Sequence, residues 1–239
     1  MSELQLVILL TLGAGLAMPI GGIIANFENI RPFWLENELR HAIIAFGGGA
    51  LLAAIALVLV PDGIKELDLI SACACFLLGS IAFMGLDILL YRAHTPASQL
   101  AAMLSDFIPE SIALGAAFAY GGTSGPLLAL IIALQNLPEG FNAFREMKDG
   151  GHFGSLTVIL LFTLLALFGP IAGVLGYFYL SNTPQILAGI MLFAAGGILY
   201  SVFQDIAPQA KLEKHWLPTF GAAVGFSFGL AGYIVTNSM

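Results

Sequence analysis

Charged residues are scarce in this 239-residue chain: they make up 10% of it, and eight of them are Lys or Arg. Soluble domains are about 25% charged and about 45–50% apolar, whereas 59% of this chain is hydrophobic. A water-soluble globule of this size could not bury so much apolar side chain, and disorder is excluded for the same reason. Fifteen acidic residues give a net charge of −7, so no nucleic-acid partner is expected.

Cysteine is also rare, with Cys73 and Cys75 alone in the chain. Two residues apart on a helix, they point to different faces, so a disulfide scaffold or a cysteine metal pair is not expected. The first residues, 1–3, contain no basic side chain ahead of the first apolar run, so that run is interpreted as a retained helix and not as a cleaved signal. The composition therefore predicts a polytopic helical membrane protein.

Long apolar runs predict an all-α fold in which residues 1–239 form a single transmembrane domain. A spanning helix needs about 20 mostly apolar residues, and eight segments meet this requirement. The predicted spans are 4–26, 41–60, 68–90, 99–120, 125–144, 154–180, 185–206 and 216–236.

The basic residues predict the orientation. Seven of the eight lie in or beside the odd-numbered connections, and Lys65 is the exception. Because basic loops stay in the cytoplasm, the pattern predicts cytoplasmic odd-numbered loops and both termini on the outer side of the inner or plasma membrane.

The positions of the prolines indicate an internal repeat. Pro19 in the first span corresponds to Pro170 in the sixth, and Pro61 after the second corresponds to Pro208 after the seventh. Spans 1–3 and 6–8 are offset by five, an odd number, so they enter the membrane in opposite directions. This pattern is typical of the inverted repeats of transporters.

Ionisable residues at membrane depth are concentrated in the fourth and fifth spans. Asp106 and Glu110 stand four residues apart around Pro109, and Gln135 and Glu139 repeat that spacing around Pro138. Residues four apart share a helix face, and each proline frees a backbone carbonyl close to the carboxylates. The two motifs are 29 residues apart on helices joined by a short turn, so they are expected to face each other near mid-membrane.

Three carboxylates and an amide, with no Lys or Arg in either span, require neutralisation by a bound cation or by protons. Oxygen ligands without Cys or His favour Mn²⁺, Fe²⁺ or Mg²⁺ over a dedicated Zn²⁺ site. Taken alone, Gln135 and the adjacent Asn136 are equally typical of interhelical hydrogen bonding. No nucleophile–base pair or cofactor motif is present, so neither an enzyme nor a prosthetic group is expected.

These motifs resemble the Zrt/Irt-like (ZIP) family of divalent-metal transporters. The similarity rests on Leu137–Pro138–Glu139–Gly140, on Ile108–Pro109–Glu110, on Val60–Pro61–Asp62 and on the run 195–200, in the context of eight spans. The chain departs from the family pattern in three places. Asp106–Phe107 stands where His-Asn is usual, Asn136 replaces an acidic residue, and Gly169 precedes Pro170 where Glu is usual.

The resemblance implies one transported metal held mainly by Asp106 and Glu139, with Glu110 bridging and Gln135 completing the shell; Asn136 is a further candidate ligand. Phe107, Asn136 and Gly169 would remove most of the second metal site of binuclear members, and without the histidine zinc becomes a less expected cargo than manganese, iron or magnesium.

The resemblance also implies a 3+2+3 arrangement in which spans 1, 4, 5 and 6 move against spans 2, 3, 7 and 8, often in a homodimer. The resulting hypothesis is a transporter that moves a divalent cation toward the cytoplasm. Two alternatives remain: a ZIP-fold protein with a regulatory or scaffold role and no metal transport, and a proton-coupled carrier of another solute.

Overall fold

A computed structural model of the chain describes residues 2–27, 33–93, 97–119, 124–149, 153–180 and 183–238, and these ranges contain helices and no strand. Eight helical segments follow one another. They are α1 (Glu3–Phe27), α2 (Phe33–Ala54, continued by a π-helical turn Ile55–Leu59 and by Val60–Gly63), α3 (Leu69–Ala93), α4 (Ala97–Ala119), α5 (Ser124–Asp149), α6 (Ser155–Ala166 and Phe168–Tyr179), α7 (Pro184–Ser201, continued by a π-helical turn Val202–Ile206 and by Ala207–Ala210) and α8 (Leu217–Asn237).

Each predicted span coincides with one of these segments, which confirms the all-helical, polytopic character. Within the described residues, seven helices are long and apolar enough to cross a membrane. The remaining segment, α4, is 23 residues long. Two predicted boundaries are wrong: α2 begins at Phe33 instead of 41, and α5 continues to Asp149 instead of 144. Both misplaced ends are charged turns that extend a helix past its apolar part.

Glycine brings the helices into backbone contact, in four pairs that make the most extensive contacts of the fold. These pairs are α1 with α5, α2 with α8, α3 with α7 and α4 with α6. In each pair a glycine faces a carbonyl oxygen or backbone of the partner helix so closely that a Cβ atom would overlap it. Small residues allow such approach where lipid supplies no hydrophobic force between helices.

The glycine contacts are reciprocal between the two halves of the chain. In the pair of α2 and α8, Gly49 faces the Ala222 carbonyl and Gly225 faces the Phe46 carbonyl. In the pair of α7 and α3, Gly196 faces the Phe76 carbonyl and Gly79 faces the Phe193 carbonyl, at nearly the same sequence offsets. In addition, the Ser80 hydroxyl donates to the Gly196 carbonyl over 2.9 Å.

The π-helical turns are also matched. Ile55–Leu59 ends two residues before Pro61, and Val202–Ile206 ends two residues before Pro208. Proline removes a helical donor and clashes with the preceding turn, and the wider π-turn accommodates both effects. The Pro61/Pro208 correspondence seen in the sequence is therefore accompanied by the same local backbone form.

Burial differs between these matched turns. Val58 and Leu59 in the first turn are buried, and Gly63 beyond them packs on the Leu192 side chain. In the second turn Asp205 is exposed, and the following Ala207–Ala210 has no buried residue. The two matched turns therefore have different surroundings, the first being packed inside the bundle and the second lying largely at its surface.

A matched pair of glycines in α3 tests the packing. Gly79→Ala places a methyl group against the Phe193 carbonyl, and we expect a loss of about 1–3 kcal/mol, as in other overpacked sites. Gly85→Ala, in the same helix, meets no atom within 4 Å and should leave stability unchanged or raise it. Thermal unfolding in detergent measures both, and equal melting temperatures for the two variants would contradict the packing described here.

Candidate functional site

Glu110 is the centre of the candidate site. It lies on α4, its side chain is 0% exposed, and it is the largest buried acidic group among the described residues. The Gln135 side chain of α5 donates through Nε2 to both carboxylate oxygens, at 2.7 Å to Oε1 and 2.6 Å to Oε2. Two of the predicted site residues, one from each motif, are therefore in direct contact.

Asp106 and Glu139 add negative charge beside this pair. Asp106 lies one turn from Glu110, and Glu139 lies one turn from Gln135. Both are displaced toward the end of the bundle where α4 begins and α5 ends. The carboxylates of Asp106, Glu110 and Glu139 interact electrostatically with one another. Like charges in low-dielectric surroundings repel strongly unless a cation or protons offset them.

Two oxygen atoms of the site have no hydrogen-bond donor. They are Asp106 Oδ1 and Gln135 Oε1, and both are buried. Gln135 itself is 3% exposed. A buried oxygen without a partner is costly in a protein interior, so both atoms are available to coordinate a cation.

The carboxylates do not form a ready-made metal cage. Among the residues the structure describes, no three His, Cys, Asp or Glu side chains lie close enough to hold one ion. The Gln135 amide nitrogen lies within hydrogen-bond distance of both Glu110 oxygens. Rotating this side chain would remove the donor and present Oε1 instead, so the four-residue ligand set stays a prediction.

Asn136, the fifth predicted ligand, points away from Glu110. It is 1% exposed, and its Nδ2 donates to the Ala14 carbonyl of α1 over 3.0 Å. In this conformation the side chain acts as an interhelical hydrogen-bond donor, the alternative that its sequence position left open. Its role as a metal ligand stays a prediction.

Phe107 and Gly169 pack directly against each other. The Phe107 ring is fully buried, and a Cβ on Gly169 would lie 2.5 Å from its Cζ, while a Cβ on Gly15 would lie 2.8 Å from the same atom. The ring therefore fills the space between α1 and α6 that these glycines leave open. That side of the motif is therefore an apolar contact.

Sequence reasoning did not include Asp205 and Asp87 in the site. Asp205, in the π-helical turn of α7, interacts electrostatically with Asp106 and with Asp87. The Tyr200 hydroxyl donates to Asp87 Oδ2 over 3.0 Å. These residues extend the row of acidic side chains from the site toward the C-terminal end of α7. The signal that could have identified Asp205 is its place just before Pro208, in the segment that matches the second span.

Asn142 was also missed. Its Oδ1 is buried without a hydrogen-bond partner, one turn beyond Glu139 on α5. The spacing of Gln135, Glu139 and Asn142 is the four-then-three pattern of one helix face, which the sequence already displays.

Comparison of the chain with protein-family models and with curated proteins finds no match.

A double-mutant cycle tests the contact between Glu110 and Gln135. Gln135→Leu leaves the buried carboxyl without its amide donor, and we expect a loss of about 1–3 kcal/mol of stability in the metal-free protein. Replacing both residues with Leu should cost less than the sum of the two single changes, because no unpaired group remains. Denaturation of the four proteins in the same detergent gives the coupling free energy, and a value near zero would show that the two side chains do not interact.

Proposed function

We propose that this chain is an integral membrane transporter that carries a divalent cation toward the cytoplasm through an oxygen-ligand site between α4 and α5. The observation that carries the proposal is the buried Glu110, with the unpartnered oxygens of Asp106 and Gln135 beside it. Ionisable groups at membrane depth are expensive and usually serve transport. Neither predicted span that supplies these residues contains Lys or Arg, so the counter-charge has to come from outside the motif.

The inverted repeat is supported by the helix contacts. Exchanging α1 with α6, α2 with α7, α3 with α8 and α4 with α5 converts the α1–α5 pair into the α6–α4 pair and the α2–α8 pair into the α7–α3 pair. The four most extensive contacts of the fold obey this exchange. They also divide the helices into a group of α1, α4, α5 and α6 and a group of α2, α3, α7 and α8, in agreement with the two bundles that the ZIP resemblance implies.

Unequal burial of the matched π-turns supports alternating access. If the two halves had the same conformation, the two turns would be equally buried. Val58, three residues before Pro61, is 2% exposed, whereas Asp205, three residues before Pro208, is exposed. We interpret this as a state closed on one side and open on the other. With the orientation given by the basic loops, the open side faces the cytoplasm, and transport exchanges the two environments.

The ligands explain how an ion could move. A hard dication leaving water needs oxygen atoms of similar strength, which Glu110, Glu139 and Asp106 supply. Displacing the Gln135 amide donor from Glu110 would admit the ion. Passage toward Asp205 would then follow the line of carboxylates, since each step exchanges one set of oxygen ligands for another. Mn²⁺, Fe²⁺ and Mg²⁺ suit this donor set better than Zn²⁺ does.

A second candidate is a ZIP-fold protein with no metal transport. The direct contact between Gln135 and Glu110 favours it, because a carboxyl that already has two hydrogen bonds needs no ion. In that case the acidic residues would be protonated, and the chain would serve as a regulatory subunit or as a proton-coupled carrier.

Uptake by proteoliposomes distinguishes these functions. We expect Mn²⁺ to enter vesicles containing the wild-type chain, and the double variant Asp106→Ala/Glu139→Ala to reduce uptake to the level of empty vesicles. Glu66→Gln, which removes an exposed carboxylate outside the helices, should keep wild-type uptake. Undiminished uptake in the double variant would remove the two acids from the mechanism, and wild-type vesicles without uptake would favour the second candidate.

A further inference from the structure

Asn142 lies on the face of α5 that carries the site. It follows Glu139 by three residues and Gln135 by seven, which places it within about 20° of Gln135 around a helix of 3.6 residues per turn. Asn136, by contrast, lies about 100° away and bonds α1. The face that holds Asn142 is therefore the one that Gln135 turns toward α4.

Contacts of neighbouring residues locate the helices around the face of α5 that carries Asn142. Pro138, on the adjacent sector of α5, packs against α2, where a Cβ on Gly47 would lie 3.1 Å from Pro138 Cγ. Around α5, Asn142 therefore lies between the side that contacts α4 through Gln135 and the side that contacts α2 through Pro138. Ile206, the residue after Asp205 in the π-helical turn of α7, lies against the neighbouring Gly48 of α2.

The carbonyl oxygen of Asn142 has no partner there. Its Oδ1 is inaccessible to solvent and receives no hydrogen bond, and the Glu139 carboxyl group lies one turn away on the same helix. An amide oxygen is a normal ligand for hard divalent cations, and here it would be the next oxygen beyond Glu139 toward the open end.

We propose that Asn142 Oδ1 is a further ligand for the divalent cation, binding it as the ion leaves Glu110 for the side of the site nearer Asp205. The inference rests on the proposed transport function and adds a residue that none of the family motifs contains. Its role would be to bridge the step between the deep pair of Glu110 and Gln135 and the carboxylates beyond.

Substitution by histidine gives a direct test with Mn²⁺ as the probe. In the full-length Asn142→His protein, pulsed electron paramagnetic resonance should detect a ¹⁴N coupling to bound Mn²⁺ that the wild-type protein lacks. Such a coupling arises from a directly bound imidazole nitrogen, which a merely structural role for residue 142 would not produce. Bound Mn²⁺ without this coupling would overturn the inference.

Affinity measurements supply a second readout if the histidine variant does not fold. Asn142→Asp should tighten Mn²⁺ binding about tenfold, because ligand charge raises affinity, and Asn142→Ala should weaken it about threefold. Thr163→Val, which removes a hydroxyl that bonds only within α6 to the Ile159 carbonyl over 2.8 Å, is the matched control and should change nothing.

The outcomes separate the two proposals. If the wild-type protein binds Mn²⁺ and the Asp and Ala variants bind it equally well, the role of Asn142 is refuted and the transport function stands. If the wild-type protein binds no Mn²⁺, the transport function and the role of Asn142 fail together.

Discussion

The burial of negative charge in an apolar bundle is the constraint on which the rest of the structure depends. Glu110 has no solvent contact, and two other carboxylates lie near enough to repel it. The Gln135 amide nitrogen donates to both Glu110 oxygens, while oxygens of Asp106 and Gln135 remain without donors. Such an arrangement is costly unless a cation or a proton offsets the charge.

The glycine-rich contacts hold the helices around this site in closely packed pairs. Backbones touch where Gly49, Gly79, Gly196 and Gly225 face partner carbonyls, so each pair of helices is held at a fixed separation. The contacts recur reciprocally in the two halves of the chain. The proposed transport would displace the two groups of helices as units. The matched π-turns contact α2, α7 and α8, within one of these groups.

Most of the fold could be predicted from the sequence, because long apolar runs and proline positions are local properties. The exceptions have physical causes. The charged first turns of α2 lie outside any apolar window, yet the helix begins at Phe33. The last turn of α5 is charged as well, and the helix continues through it to Asp149.

The site was predictable in part. Spacing on one helix face brought Glu110 and Gln135 together correctly, since both motifs place a polar residue four positions from a glutamate. The direction of Asn136 toward Ala14 was not predictable, because it depends on which helix packs beside α5. Asp205 is far from the motifs in the chain, and its proximity to Asp106 arises from the packing of α7.

The most direct test of the central claim is an anomalous diffraction map of crystals of the full-length protein soaked in Mn²⁺. The account predicts one strong peak among Glu110, Glu139 and Asp106, with Gln135 rotated so that its oxygen faces the ion. A map with no peak there, in which the Gln135 amide nitrogen still donates to Glu110, would contradict it.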